Sequence, residues 1–315
     1  MEPDKPSPLW GIVSTIKADA RTVLNFAAYH LDLGAHRLHI YLDEPNPDAF
    51  SHLKAHPKIR VQTCDSTYWK QRKKQRPAKH QTRQTLNATH AYERIQTDWV
   101  AHIDADEFIS SPGRLSDALA AVPNSAHCAR IRPIEALPGR DGHYKSLIPD
   151  GPGREAAVRA LYPSFGVFLK GGFLSHVAGK VFARTGLPDI QLRIHNLYQG
   201  GEIVSGAFDL DQVDLCHRHA DSWEQWQTLY KFRLERGSYR PGLAPGFPRL
   251  AGGLSKHELL TLIEEEHGPE GLRRFFDEIS AKDPEVFQKL EAQGLLKIRH
   301  LELDAKRQKH FPAFG

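Results

Sequence analysis

Over the first hundred residues, short unbroken apolar runs alternate with stripes of apolar residues spaced three and four apart. Residues 11–16 (GIVSTI) form a β-branched run of strand length, and residues 21–33 carry Leu24, Ala27, Ala28 and Leu31 on one stripe. That spacing is the mark of an amphipathic helix. Gly34 follows where the end of such a helix favours a left-handed residue. Residues 37–42 are apolar again, 47–56 predict a short helix and 59–64 another strand. A β-α-β-α-β order with short links predicts a mainly parallel sheet covered on both faces.

Residues 70–79 (KQRKKQRPAK) are polar and basic, and a helix is predicted after them. On a helical wheel Ala88, Ala91, Tyr92 and Ile95 share one face, whereas Arg83, Asn87, His90 and Arg94 share the opposite one. The first face is expected to pack, and the second to stand open to a ligand. Residues 99–103 (WVAHI) then read as a buried strand that delivers Asp104, Ala105, Asp106 and Glu107 at its C-terminal end. In open α/β sheets ligands bind at that end.

From residue 127 to 204 the pattern is irregular, with strands expected at 128–134, 166–169, 180–184 and 191–194 and glycine pairs at Gly171-Gly172 and Gly200-Gly201. After Ser222 a helix carries Trp223, Trp226, Tyr230 and Leu234 on a stripe that is read as core, with Gly237 as its stop. A proline- and glycine-rich link over 241–253 precedes further helices, one opened by the capping box Ser255 to Glu258 and one by Asp283-Pro284. The expected division is a main domain over 9–240 and a helical C-terminal extension over 241–315.

With 40% hydrophobic and 25% charged residues, the chain lies in the range of folded globular proteins and far from disordered ones. A net charge of +4 with basic residues spread along the chain tilts it towards anionic ligands without favouring nucleic acid. The cysteines Cys64, Cys128 and Cys216 are odd in number and lack CxxC spacing, which speaks against a disulfide framework or a zinc knuckle. The charged, proline-bearing first residues do not resemble a secretory signal. No apolar run approaches the ~20 residues of a membrane span. The expectation is a cytoplasmic protein, at most peripheral to a membrane.

Three carboxylates within the four residues 104–107 concentrate negative charge just past a buried strand. A hard divalent cation, Mn²⁺ or Mg²⁺, offsets such charge and takes carboxylate, phosphate and water oxygens as ligands. It can also neutralise the charge on a departing diphosphate. The loops and motifs of P-loop hydrolases, dinucleotide dehydrogenases, zinc proteases and serine hydrolases are not found.

The runs WVAHIDADEF, GIVSTIKADARTVLNFAAYHLDLGAHRLHIYLDEP and RQTLNATHAY resemble glycosyltransferase family 2 relatives that carry a D-x-D-E-F motif on a GT-A fold. The likeness continues through Gly179-Lys180, IHN at 194–196 and CHRHADSW at 216–223, and so covers roughly residues 10–240. It implies a GT-A-like mixed, mainly parallel sheet flanked by helices.

Position by position, the resemblance implies that Asp43 lies near the nucleotide base or ribose and that Arg83 and Asn87 contact the nucleotide or its diphosphate. Asp104 would face the ribose and metal, Asp106 would be the principal metal ligand and Glu107 would support both. Lys180 would reach the phosphates or the acceptor. His217, with His219 two residues on, would complete the metal shell, while His176 and His195 would serve the acceptor or ordinary loop hydrogen bonds. An inverting transfer also needs a general base. Glu135 is the first carboxylate to test for it, with Glu155 and Asp189 next. The implied activity moves a sugar from a nucleotide-diphosphate donor, expected to be a UDP-sugar, to a glycan or lipid-linked hydroxyl. The alternatives are a sugar-phosphate nucleotidyltransferase, against which the absence of a glycine-rich first loop speaks, and a non-catalytic glycan- or nucleotide-binding protein.

Overall fold

In the computed structural model, which describes residues 7–72 and 75–314, the elements follow one another in the order that the apolar runs and stripes predict for the first hundred residues. Lys73 and Lys74 of the basic stretch lie outside the described residues. The chain runs β1 (Trp10–Ile16), α1 (Ala20–Asp32), β2 (Arg37–Leu42), α2 (Pro47–Ala55), β3 (Ile59–Thr63), α3 (Ser66–Gln71), α4 (His80–Tyr92), β4 (Trp99–His102), β5 (Glu107–Ser110) and α5 (Leu115–Ala120). It continues through β6 (Cys128–Ala136), β7 (His143–Ser146), α6 (Arg154–Leu161), β8 (Lys180–Arg184), β9 (Ile190–Leu192), β10 (Leu197–Gln199), β11 (Glu202–Ile203) and β12 (Phe208–His217). The remaining elements are α7 (Trp223–Glu235), α8 (Lys256–Ile279), α9 (Pro284–Ala292), β13 (Leu296–Ile298) and α10 (Leu303–His310).

These elements group into two units. The first runs to Arg132 and takes in Ala178–Leu215 and the residues from Leu301 on, while the second comprises Pro133–Val177 and Cys216–His300. The expected link over 241–253 thus lies inside the second unit, and α10 belongs to the first.

In the first unit β3, β2, β1 and β4 lie side by side and parallel, and β8 then runs antiparallel between β4 and β6. The apolar strands have buried Ile12, Leu38, Ile40 and Ala101 as the centre of a core, which the stripe of α1 (Val23, Leu24, Ala27, Leu31) completes. Asp19 starts α1 by accepting a hydrogen bond from the Thr22 amide at 2.7 Å, and Gly34 with φ 106° follows its end. α10 docks on α1 through Arg307, which donates to Asn25 Oδ1 at 2.7 Å. The glycine pair Gly200-Gly201 (φ 59° and 90°) makes the tight turn between the antiparallel β10 and β11.

In the second unit β7 pairs with the end of β6 and with β13, both antiparallel. Trp226, Tyr230, Phe275 and Phe276 from α7 and α8 make its core, as the aromatic stripe predicts. Both halves of the Ser255–Glu258 capping box form, and Asp283 caps α9 with Pro284 in its first turn. α8 breaks at Gly268 (φ 57°) before Pro269. The strand expected at 166–169 is instead a 3₁₀ turn, Gly166–Phe168. Gly166 is pressed so closely on α6 that an added Cβ would lie 2.7 Å from that of Tyr162. Among the described residues no helix is long and apolar enough to cross a membrane.

Candidate functional site

Chain order reverses at β1, because β2 and β3 continue to one side of it and β4 lies on the other. The crevice outside the C-terminal ends of β1 and β4 is therefore a topological switch point, where open α/β sheets hold their ligands. β1 and β4 pair from Trp10↔Trp99 to Val13↔His102, and the same register carried on brings Thr15 level with Asp104. The acidic turn thus stands at the switch point, and Asp43 closes the neighbouring strand β2.

The turn is internally bonded. The Glu107 amide donates to the Asp104 carbonyl at 3.1 Å, and the Asp104 amide donates to Glu107 Oε2 at 3.0 Å. Lys180 starts β8, whose antiparallel register with β4 (Ala101↔Phe182) delivers it beside this turn. Its ammonium donates to Asp104 Oδ2 at 2.6 Å and lies 3.0 Å from Glu107 Oε2. Gln84 of α4 donates to the other Asp104 oxygen at 2.7 Å. Burial opposes the charged forms of both Lys180 and Asp104, but their mutual attraction prevails, leaving Lys180 above and Asp104 below the ordinary values. Burial and the nearby Lys180 charge push His102 down to about 4, so it is neutral. Asp106 is half-buried.

Gly179 makes this approach possible. It has φ 68°, and an added Cβ would lie 2.1 Å from the Ile131 carbonyl oxygen.

Asp43 is buried, and Arg83 grips both of its oxygens, Nε to Oδ1 at 2.8 Å and a terminal nitrogen to Oδ2 at 2.6 Å. Arg76, from the basic stretch, lies 3.2 Å from Asp43 Oδ1. The face of α4 expected to stand open is closed at two positions: Arg83 is 7% exposed and Asn87 fully buried. Asn87 accepts from Tyr68 at 2.6 Å and donates to Thr15 Oγ1 at 3.1 Å and to Cys64 Sγ at 3.5 Å. With its amide so engaged, it is a strut between β1, β3 and α3. The wheel misreads this face because α3 and the strand ends cover it, a tertiary fact that periodicity does not carry. Lys180 is likewise wholly buried against carboxylates, where the resemblance implied a contact to phosphates or acceptor.

In the second unit, Glu135 accepts from the Leu174 and Ser175 amides at 3.0 and 2.6 Å and pairs with buried Lys145 at 3.2 Å. Burial would raise its pKa, but Lys145 and these donors lower it below the ordinary value. A carboxylate so satisfied is a poor general base and an effective anchor for the 172–175 segment. The rings of His176 and His217 lie 4.9 Å apart, and those of His217 and His219 5.4 Å apart. One nitrogen of His219, Nε2, lies 2.6 Å from the Tyr239 hydroxyl, and burial lowers its pKa well below the ordinary value. In the first unit, His195 bonds the Gly179 carbonyl at 2.9 Å. Gln84, Thr15 and Arg76 are the residues of this region that the sequence does not single out. The first falls on the wheel within the apolar face, between Ala91 and Ile95, and neither of the others carries a motif.

Residues 13–126 match the model of glycosyltransferase family 92. The matched stretch holds the parallel strands and the acidic turn, and it supports a glycosyltransferase. The matching model is that of family 92, whereas the motifs resemble family 2; sugar transfer is what the two have in common. No curated protein sequence matches the chain. Among solved structures, the bifunctional glycosyltransferase WbbM in its apo form is 14% identical over 42% of this chain and 24% of its own, with a TM-score of 0.26. HddC from Yersinia pseudotuberculosis is 11% identical over 71% of this chain and 99% of its own, with a TM-score of 0.33. The galactosyltransferase LgtC, solved with donor and acceptor sugar analogues, is 14% identical over 55% and 57%, with a TM-score of 0.27. The chain thus spans about a quarter of the first and little more than half of the last, and TM-scores this low carry no functional argument.

Proposed function

We propose that the chain transfers a sugar from a nucleotide-diphosphate donor, a UDP-sugar, to a hydroxyl of a glycan or lipid-linked acceptor, with Asp106 holding a divalent cation. One observation carries the reading: within a stretch matching a glycosyltransferase family, the acidic turn coincides with the switch point of the parallel strands. The part-exposed Asp106 carboxylate, together with phosphate oxygens and water, is a donor set suited to Mg²⁺ or Mn²⁺. Such an ion, when bound, would offset negative charge on the departing diphosphate.

The chain's own residues prepare that site. Gln84 and Lys180 hold Asp104, so the turn need not reorganise when a ligand arrives. Arg83 fixes Asp43, whose oxygens keep further lone pairs for a ribose hydroxyl or a base N–H. His217 and His219 are proposed metal-ligating residues, and Asn87 is proposed as a wall of the site instead of a direct contact. No base is assigned, and inversion at the anomeric carbon is the expected outcome.

Calorimetry with UDP, with and without Mn²⁺, followed by a UDP-release assay on UDP-glucose, UDP-galactose and UDP-N-acetylglucosamine, tests the reading. It expects UDP binding that Mn²⁺ strengthens and slow metal-dependent release from at least one donor. UDP binding that ignores the metal, or no binding at all, counts against it.

A further inference from the structure

Strand β2 and the edge strand β3 carry basic side chains for which the acidic turn has no use. Arg37 and His39 are two apart on β2 and so share one face of the sheet, and the parallel register sets Arg60 of β3 beside His39. Arg37 Nη1 donates to the Pro57 carbonyl at 2.8 Å, and Arg60 Nη1 donates to the same oxygen at 3.1 Å. Two guanidiniums thus converge on one carbonyl, and among the described residues neither meets a carboxylate. Burial and the Arg60 charge pull Arg37 below its ordinary pKa. The half-buried His39 ring makes no hydrogen bond among the described residues, and burial, followed by the charges of Arg37 and Arg60, lowers its pKa to about 4. The other bases nearby are committed: Arg94 to Glu93 at 2.9 Å, Arg72 to the Tyr68 hydroxyl at 2.5 Å and His90 to the Tyr41 hydroxyl at 2.7 Å.

Charges on an edge strand often serve only to repel a further strand. That accounts for Arg60 but not for Arg37, which lies on the inner strand β2 and is half-buried without a counter-charge. We propose that Arg37, Arg60 and His39 bind a single phosphate dianion at the end of the sheet opposite the acidic turn. Two guanidinium charges match a phosphate group of charge about −2, and their planar forks offer paired N–H groups to its oxygens. Neutral His39 adds one more N–H. The group is free phosphate or the phosphate of a lipid head group, which present the same oxygens. Both arginines stand at the start of their parallel strands, whereas the donor crevice lies past the strand ends, so the two sites are separate and this one does not rest on the sugar-transfer reading.

The test titrates the purified full chain with sodium phosphate, without metal and at constant ionic strength in chloride, at a mildly alkaline pH where phosphate is mainly the dianion. Calorimetry should show one phosphate bound per chain, with a rise in Tm. Arg60 is exposed, so Arg60→Gln should fold like the wild type while weakening phosphate binding at least about tenfold. Lys54→Gln, which removes an exposed charge on α2, should leave the Kd unchanged. In proton–carbon NMR spectra the His39 ring signal, assigned by its loss in His39→Gln, should move as phosphate saturates the wild type and stay in place in Arg60→Gln at the same concentration. Sedimentation with phosphatidylcholine vesicles containing phosphatidic acid separates the sources: pelleting that Arg60→Gln abolishes identifies a lipid head group, and phosphate binding without pelleting identifies a soluble phosphate. Absence of saturable phosphate binding overturns the proposal, as does an Arg60→Gln variant that binds like the wild type or a Lys54→Gln variant that loses as much. The titration uses neither nucleotide nor metal, so failure of the wild type to bind UDP would remove the sugar-transfer reading and leave this site to its own comparison.

Discussion

Arg83 and Asp43, forty positions apart in the chain, form a two-pronged ion pair at 2.8 and 2.6 Å in which both side chains are almost wholly buried. Each desolvated charge is tolerable because the other is there. Removing either partner, by Asp43→Ala or Arg83→Ala, is expected to destabilise the fold by about 3 kcal/mol or more. The double variant should cost clearly less than the sum of the two. Urea unfolding of all three variants measures the coupling, and strict additivity would show that the pair contributes little.

Gly179 is the backbone hinge on which Lys180 depends. Alanine there would need both a left-handed backbone, at φ 68°, and the space taken by the Ile131 carbonyl. Gly179→Ala should lower stability by at least about 2 kcal/mol. Thermal unfolding checks this; a wild-type Tm would mean that the segment relaxes freely.

His30 is buried against Phe26 and Phe108, and burial pushes its pKa down to about 4 although the Phe26 carbonyl and Glu107 pull the other way. Unfolded, it takes up a proton below its ordinary value near 6.5. Folded, it resists until about pH 4, so the unfolded chain binds more protons between these limits. Its contribution to stability is complete above pH 6.5 and is lost as pH falls towards 4. Between pH 7 and pH 5 the wild type should lose about 2 kcal/mol more than His30→Leu. Urea midpoints at the two pH values decide it, and equal losses would show that His30 does not titrate in this way.

Asp106 is half-buried at the acidic turn. Asp106→Ala should abolish Mn²⁺-dependent release of UDP from a donor. Full retention of that activity would remove Asp106 from the site.

Much of the frame is legible in the order of residues. The strands at 37–42 and 180–184 have their expected bounds, and α4 buries Ala88, Ala91 and Tyr92 as the wheel requires, with Ile95 buried just past its end. These succeed because each rests on local spacing, which the chain carries within one element. The 3₁₀ turn at Gly166 and the hairpin pairing of β10 and β11 escape such spacing because they are too short to show a period, and the strand β13 because it forms on β7, far back in the chain.

What residues alone determined is the alternation of strand and helix, the acidic cluster at the end of a buried strand and the chemistry such oxygens favour. Tertiary structure alone decided which charges answer one another. Lys180 reaches Asp104 across seventy-six positions of sequence, and only because β8 runs antiparallel beside β4. Arg83 and Asn87 are likewise buried by strand ends and by α3, which the periodicity of α4 cannot register. Apolar spacing is written locally, whereas the partner of a buried charge is set by strand register, and register comes into being only when distant segments pair.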